Sequence, residues 1–84
     1  MIHKLKIDKI HLDDLLSGRK RAEIRLNDRD YKVGDFLEFR DLTNIPNPIL
    51  RIFRVTHMHT GLGLKRNYAV LSVTLEFSGV NNEY

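Results

Sequence analysis

Apolar and polar residues alternate along most of this chain, and alternation with a period of two is typical of β-strands. Segment 68–77 alternates throughout, and its predicted core-facing row consists of Ala69, Leu71, Val73, Leu75 and Phe77. Shorter alternating segments predict strands at 2–7, 21–26 and 36–41. The predicted inward faces of the first and the last carry His3, Leu5 and Ile7, and Leu37 and Phe39. Segment 49–59 predicts a longer strand with a β-bulge, because Val55 and Met58 fall out of phase.

One segment has helical spacing instead. Asp8 is a good N-cap residue, and Gly18 is a natural helix stop, so the sequence predicts a helix of two to three turns between them. The apolar stripe predicted for this helix consists of Ile10, Leu15 and either Leu12 or Leu16. The helix therefore ends just before a highly charged segment.

These elements predict a mainly β domain with a flanking helix, arranged as a small antiparallel β-barrel of about five to six strands. Closing the barrel would leave no unpaired strand edge. At 84 residues the chain has room for one domain, which we place at residues 1–77, with a polar C-terminal tail at 78–84. A polar loop with two prolines is expected at 43–48.

Composition narrows the possible functions. The chain has no cysteine, which excludes disulfides, thiolate metal sites and a thiol nucleophile. The first ten residues alternate between charged and apolar side chains, unlike a secretory signal, and no apolar run approaches the length of a membrane span. We therefore expect a cytoplasmic protein with no membrane partner. The net charge of +3 favours an anionic partner, and nucleic acid is the foremost candidate.

The segment Arg19–Lys32 concentrates charge, with six basic and three acidic residues. Within it, the predicted core-facing row is Ala22, Ile24 and Leu26, and the predicted outward row is Arg21, Glu23 and Arg25. One interpretation is a solvated strand face, whose ion pairs contribute about 0–1 kcal/mol each. The other is a cleft in which Lys20 and Arg25 bind phosphate or carbonyl oxygens, and Lys20 or Glu23 moves a proton. Periodicity alone leaves both interpretations open.

Three further features bear on the site. His57 and His59 lie two residues apart on a predicted strand, but no third ligand accompanies them, so we predict no metal site and no cofactor. Lys65 and Arg66 follow a glycine-containing connection, which is more typical of a plain turn than of a phosphate-binding loop. Tyr31 either stacks on a nucleobase or belongs to the core or its rim.

The stretch "GRKRAEIR" matches a known signature, G-x-K-x-x-E-x-R, at Gly18, Lys20, Glu23 and Arg25. This signature belongs to the activating-signal-cointegrator homology (ASCH) domains of the PUA-like superfamily, which the chain resembles. The stretches "EIRLNDRDYKVGDFLEFRD" and "VTHMHTGLGLKRNYAVLSV" are similar to segments of a small bacterial and phage branch of these domains. The resemblance covers about residues 3–75, nearly the whole chain.

The resemblance implies a PUA-like β-barrel that binds RNA or a nucleotide-like ligand. In related domains the signature residues line a cleft between the barrel and the helix. The ligand-binding residues that we predict are the signature residues Gly18, Lys20, Glu23 and Arg25, together with Arg29 and Tyr31 from the same charged segment.

The chain also resembles a bacterial enzyme that hydrolyses acetylated cytidine nucleosides. In that relative the lysine at the position of Lys20, the threonine at the position of Glu23 and a downstream glutamate are catalytic. Here a glutamate replaces the threonine, and a short connection after Thr60 replaces the insertion that carries the downstream glutamate. The resemblance thus implies a second possible function, a small amidohydrolase in which Lys20 and Glu23 are catalytic. A third is a protein-interaction or phage accessory module.

Overall fold

One short helix and five strands make up the described part of the protein, which comprises residues 1–42 and 48–80 of a computed structural model. The elements in chain order are β1 (Ile2–Leu5), α1 (Lys9–Ser17), β2 (Ala22–Leu26), β3 (Phe36–Asp41), β4 (Ile49–His59) and β5 (Tyr68–Val80). The mainly β class with a flanking helix is therefore confirmed. Apart from Pro48, the predicted loop at 43–48 lies outside the described residues. Among the described residues, no helix is long and apolar enough to cross a membrane.

The five strands form one mixed sheet in the order β1-β3-β4-β5-β2. The β1–β3 pair is parallel, whereas the other three pairs are antiparallel. The edge strands β1 and β2 do not pair with each other, so the sheet is an open half-barrel. The prediction of a closed barrel is wrong, whereas the mostly antiparallel pairing is confirmed. The reason is that α1 joins the two edge strands and buries Leu12 and Leu15 against the sheet, which covers the core without closure.

The core lies on the concave side of the half-barrel. Its buried apolar residues are Leu12, Leu15, Tyr31, Leu37, Phe39, Phe53, Val55, Ala69 and Leu71. The predicted inward faces of β1 and β3 are confirmed, since His3 is buried next to Leu37 and Phe39. Three predicted core residues of α1 and β5 are wrong, because Ile10 is exposed on α1, and Leu75 and Phe77 are exposed on β5.

The two longest strands depart from regular pairing. The predicted bulge in β4 is confirmed by register shifts at Ile52/Phe53 and Val55/His57. The inward row of β5 becomes exposed beyond Val73, because β2 pairs only with Tyr68–Ser72. β5 continues to Val80, so the first three residues of the predicted tail belong to a strand. The other four lie outside the described residues.

Candidate functional site

The charged row of β2 faces the concave side of the half-barrel. In the register with β5, Glu23 lies opposite Leu71 and Arg25 lies opposite Ala69. Residues paired directly across two strands share a face of the sheet, and both of these partners are fully buried. Ile24, on the opposite face, is 60% exposed. The predicted orientation of this strand, with the apolar row inward, is therefore wrong.

The position of β2 at the edge of the sheet makes this orientation possible. An edge strand has a neighbour on one side only, so its inward side chains lie at the rim of the core, where half-buried charges keep some contact with water. Side chains point to alternate faces, and the register with β5 alone determines which row points inward. Arg21, Glu23 and Arg25 do not form one solvated row, since only Arg21 is exposed.

Glu23 is the centre of the site. Its side chain is 8% exposed, and Lys20 Nζ lies 2.7 Å from its Oε1. Arg25 Nη2 lies 3.0 Å from Oε2, and Arg25 Nε donates to the same oxygen at 3.1 Å. A buried carboxylate is costly unless it is paired and hydrogen-bonded, and here each oxygen has a cationic partner. The interpretation of a solvated strand face is thus wrong for Glu23 and Arg25.

Arg25 also joins the two edges of the half-barrel. Its Nη2 donates a hydrogen bond of 2.6 Å to the carbonyl oxygen of Lys6, in the connection between β1 and α1. Its guanidinium carbon lies 5.6 Å from the centre of the Phe39 ring, a cation–π distance. These contacts and the pair with Glu23 hold the guanidinium in one place.

The end of α1 positions Lys20. Gly18 has a φ of 82°, in the left-handed region that favours glycine, and its N–H donates to the Leu15 carbonyl. The Lys20 N–H donates to the Asp14 carbonyl at 3.1 Å, which holds the chain against the helix end. Gly18 therefore acts as a helix C-cap, and Lys20 leaves the helix in a direction that lets its ammonium reach Glu23.

A cavity of about 800 Å³, the larger cavity, opens along the gap between the two edges of the half-barrel. It is lined by Leu5–Asp8 on one side and by Glu23–Leu26 on the other, with His11 of α1 and Tyr68 of β5 also at its wall. Small-molecule sites in proteins have volumes of about 300–1,000 Å³, so this cavity is large enough for a nucleotide. Lys20 does not line the larger cavity, but its ammonium contacts the carboxylate of Glu23, which does.

A second cavity of about 310 Å³, the smaller cavity, adjoins the first. Lys6 and Arg25 line both cavities. Arg29 and Tyr31, two of the predicted site residues, line the smaller one. Arg29 is exposed, whereas Tyr31 is buried in the core cluster. Of the two alternatives for Tyr31, the structure favours the core position over an open stacking surface.

Tyr31 belongs to a buried polar cluster with His3 and Asp35. Its ring packs edge-to-face on His3 at a centroid distance of 4.7 Å, and His3 Nε2 lies 2.8 Å from Asp35 Oδ2. Burial raises the pKa of the Tyr31 phenol, although Arg25 opposes the shift. Burial alone would raise the pKa of Asp35, but hydrogen bonds from His3, the Lys32 N–H and the Met1 amino group outweigh it and lower the pKa. The cluster ties the segment after β2 to β1.

The other candidates lie apart from this site. His57 is exposed and His59 half-buried on β4, and the described residues contain no group of three or more side chains suited to a metal ion. Lys65 and Arg66 line a separate cavity of about 360 Å³, which shares only Tyr68 with the larger cavity.

The sequence reasoning missed Lys4, Lys6 and His11 as residues near the site. Lys4 and Lys6 share the polar face of the first alternating segment, which is a signal for a basic surface. Nothing in the sequence shows that this surface lies beside Arg25. The contact between Lys6 and Arg25 joins residues 19 positions apart and depends on the tertiary fold.

Comparison with known proteins supplies a family. Over 36 residues, or 43% of its length, the chain is 47% identical to an uncharacterized 12.9 kDa protein in the GpA 3′ region of Escherichia phage P2. The matched segment spans only 33% of that phage protein. A family model described as "Domain of unknown function (DUF3850)" matches residues 2–73, which is most of the chain. The chain therefore belongs to the DUF3850 family.

Proposed function

We propose that this protein is a PUA-like domain of the ASCH type whose larger cavity binds RNA or a nucleotide-like ligand. The signature residues Gly18, Lys20, Glu23 and Arg25 support this proposal. The observation that carries it is the position of the Glu23 carboxylate. It is buried, it is paired with two cations, and its residue lines a cavity of about 800 Å³.

The chemistry of the three charged residues suits a nucleobase and its sugar-phosphate. Each carboxylate oxygen of Glu23 has lone pairs beyond the hydrogen bond that it already accepts, so it can accept another from an amino or imino group of a base. Arg25 carries further N–H donors on a planar group, which suits a carbonyl or phosphate oxygen. In this proposal Lys20 keeps Glu23 oriented toward the ligand, and Arg25 contacts the ligand directly.

Energetics favour a binding role over a purely stabilising one. Replacing a buried ion pair by apolar residues of similar volume is often neutral or stabilising, so such a pair is weak evidence for stability. Here the ion pair lies on a wall of a cavity, whereas Ile24 and Leu26, which could fill the core, are exposed. An arrangement that serves a ligand explains this orientation.

Binding measurements test the proposal. We expect the wild-type protein to bind short single-stranded RNA or ribonucleosides, and Lys20→Ala to weaken binding at least about tenfold, the loss of one charge-assisted contact that orients Glu23. Lys32→Ala is the matched control, because Lys32 is an exposed lysine that lines neither cavity. Absence of binding by the wild type, or equal binding by wild type and Lys20→Ala, would contradict the proposal.

A second candidate function is hydrolysis of an acylated nucleoside, for which one contact is favourable. The Lys20 ammonium lies 2.7 Å from the Glu23 carboxylate, within reach for proton transfer during attack of water on an amide. The reaction would add water to the acyl carbonyl, break the C–N bond, and leave a carboxylic acid and the free amino group of the base. Incubation with N4-acetylcytidine, followed by chromatography, would show free cytidine. No turnover would exclude this substrate class.

The third possible function, a protein-interaction or phage accessory module, stays a prediction. It requires that alanine at Lys20, Glu23 or Arg25 change only the stability of the protein. Thermal melts run beside the binding assays therefore separate it from the first two functions.

A further inference from the structure

We propose that the smaller cavity is a phosphate subsite, so that the ligand is a phosphorylated nucleotide or a nucleic-acid strand rather than a free nucleoside. This inference rests on the proposed function, because it assigns the base and sugar to the larger cavity. The two cavities adjoin, and Lys6 and Arg25 belong to the walls of both. A ligand that enters one cavity can therefore extend into the other.

Charge is what distinguishes the smaller cavity. Its charged lining residues are Lys4, Lys6, Arg25, Arg29 and the single acidic residue Asp28. Glu23 neutralises Arg25, which leaves three cations and one carboxylate, a net charge of +2. A phosphate group carries a charge of the opposite sign and of similar size.

Three of the four cations of this cavity are not committed to internal ion pairs. Within residues 1–42 and 48–80, Lys4, Lys6 and Arg29 form no salt bridge, whereas Arg25 pairs with Glu23. The other basic residues without a salt bridge in this part of the chain are Arg21, Arg40, Lys65 and Arg66, none of which lines the smaller cavity. Lys4 and Lys6 project from one face of the chain, two residues apart. Arg29 approaches from the turn after β2. Cations from two separate segments thus converge on a volume of about 310 Å³ with their charge available to a ligand.

The remaining lining residues of the smaller cavity add no negative charge. Tyr31 lines it, and burial raises the pKa of this phenol, so the hydroxyl stays neutral at physiological pH. Leu5 and Leu26 supply apolar surface next to the cations. A low-dielectric wall strengthens the attraction between the cations and an anion, compared with the same charges on an open surface.

The experiment compares ligands that differ only in phosphate. Isothermal titration calorimetry would measure the affinity of the protein for the four ribonucleosides and for their 5′- and 3′-monophosphates. We expect at least one monophosphate to bind about tenfold or more tightly than its nucleoside, and increasing salt to reduce this advantage. The double variant Lys4→Gln/Arg29→Gln should abolish the advantage and leave nucleoside affinity within about twofold.

A control variant, Lys32→Gln/Arg66→Gln, removes the same charge at positions that do not line the smaller cavity. It should keep the preference for the monophosphate, and circular dichroism melts should show that both double variants are folded. If nucleosides and monophosphates bind equally through Lys20 and Glu23, the phosphate subsite is overturned and the proposed function stands. If the two double variants weaken binding equally, the net charge of the protein explains the loss of affinity, and the subsite is also overturned. If neither ligand class binds, both proposals fail.

Discussion

Replacing Ile24 by threonine tests the orientation of β2, on which the whole site depends. Ile24 is 60% exposed, so only about 40% of its side chain is removed from water in the folded protein. The change to threonine keeps the β-branch and the preference for a strand, and exchanges an ethyl group for a hydroxyl.

The expected cost follows from this exposure. Two fully buried methylene-sized groups contribute about 1.6 kcal/mol, so 40% burial predicts a loss of roughly 0.6 kcal/mol in the free energy of unfolding. If Ile24 instead faced the core, as the alternating pattern predicted, the full transfer term would be lost. Burial of an unpaired hydroxyl would add about 1–3 kcal/mol, for a total of about 2.6–4.6 kcal/mol.

Equilibrium urea denaturation, followed by far-ultraviolet circular dichroism, separates these two values. Val55→Thr is the matched control, since Val55 is a β-branched strand residue that is 0% exposed in the core. We expect Val55→Thr to cost about 1–3 kcal/mol, more than Ile24→Thr does. A cost for Ile24→Thr above about 2.5 kcal/mol, or above that of Val55→Thr, would refute the orientation of β2 described above.

Three further predictions concern the polar residues. Glu23→Gln should lower the free energy of unfolding by about 1–3 kcal/mol in the same denaturation assay, because it leaves the half-buried cations of Lys20 and Arg25 without a counter-charge. A loss below about 0.5 kcal/mol would contradict the pairing. The pKa of Asp35 in the folded state lies below its ordinary value of 3.8, so the native state binds fewer protons than the unfolded state does. The stabilisation that Asp35 contributes is therefore complete above pH 3.8 and is lost as the pH falls through the lowered pKa. Denaturation over a pH series should thus show wild type and Asp35→Asn converging in acid, and a pH-independent difference would count against this linkage. Gly18→Ala should cost about 1 kcal/mol in a thermal melt, because φ is 82° there, and an unchanged melting temperature would argue against the left-handed cap.

The local elements of this protein follow from its sequence. A period of two predicted all five strands, and helical spacing between Asp8 and Gly18 predicted α1. The inward faces of β1 and β3 were also predictable, because the apolar or uncharged residues His3, Leu5, Leu37 and Phe39 alternate with charged ones. Both kinds of prediction concern neighbours in the chain, whose geometry depends on backbone sterics and on the spacing of side chains.

The extent of burial along an element was less predictable. Ile10 and Phe77 are apolar residues in regular positions, yet both are exposed. Their exposure depends on where the neighbouring elements end: β2 pairs with β5 only as far as Ser72, so the later part of β5 has no cover on that side. Length and overlap of distant elements are properties of the assembled sheet.

The candidate site is mainly a product of the tertiary structure. The signature identified Lys20, Glu23 and Arg25, but the alternating pattern placed the last two outward. The two rows of β2 did not reveal which of them is buried, because the pairing register with β5 determines that. The hydrogen bond from Arg25 to the Lys6 carbonyl likewise depends on the tertiary structure, because it connects opposite edges of the sheet. The sequence by itself determined the elements and the charged residues, whereas the packing of edge strands around α1 decided that those charges line a cavity.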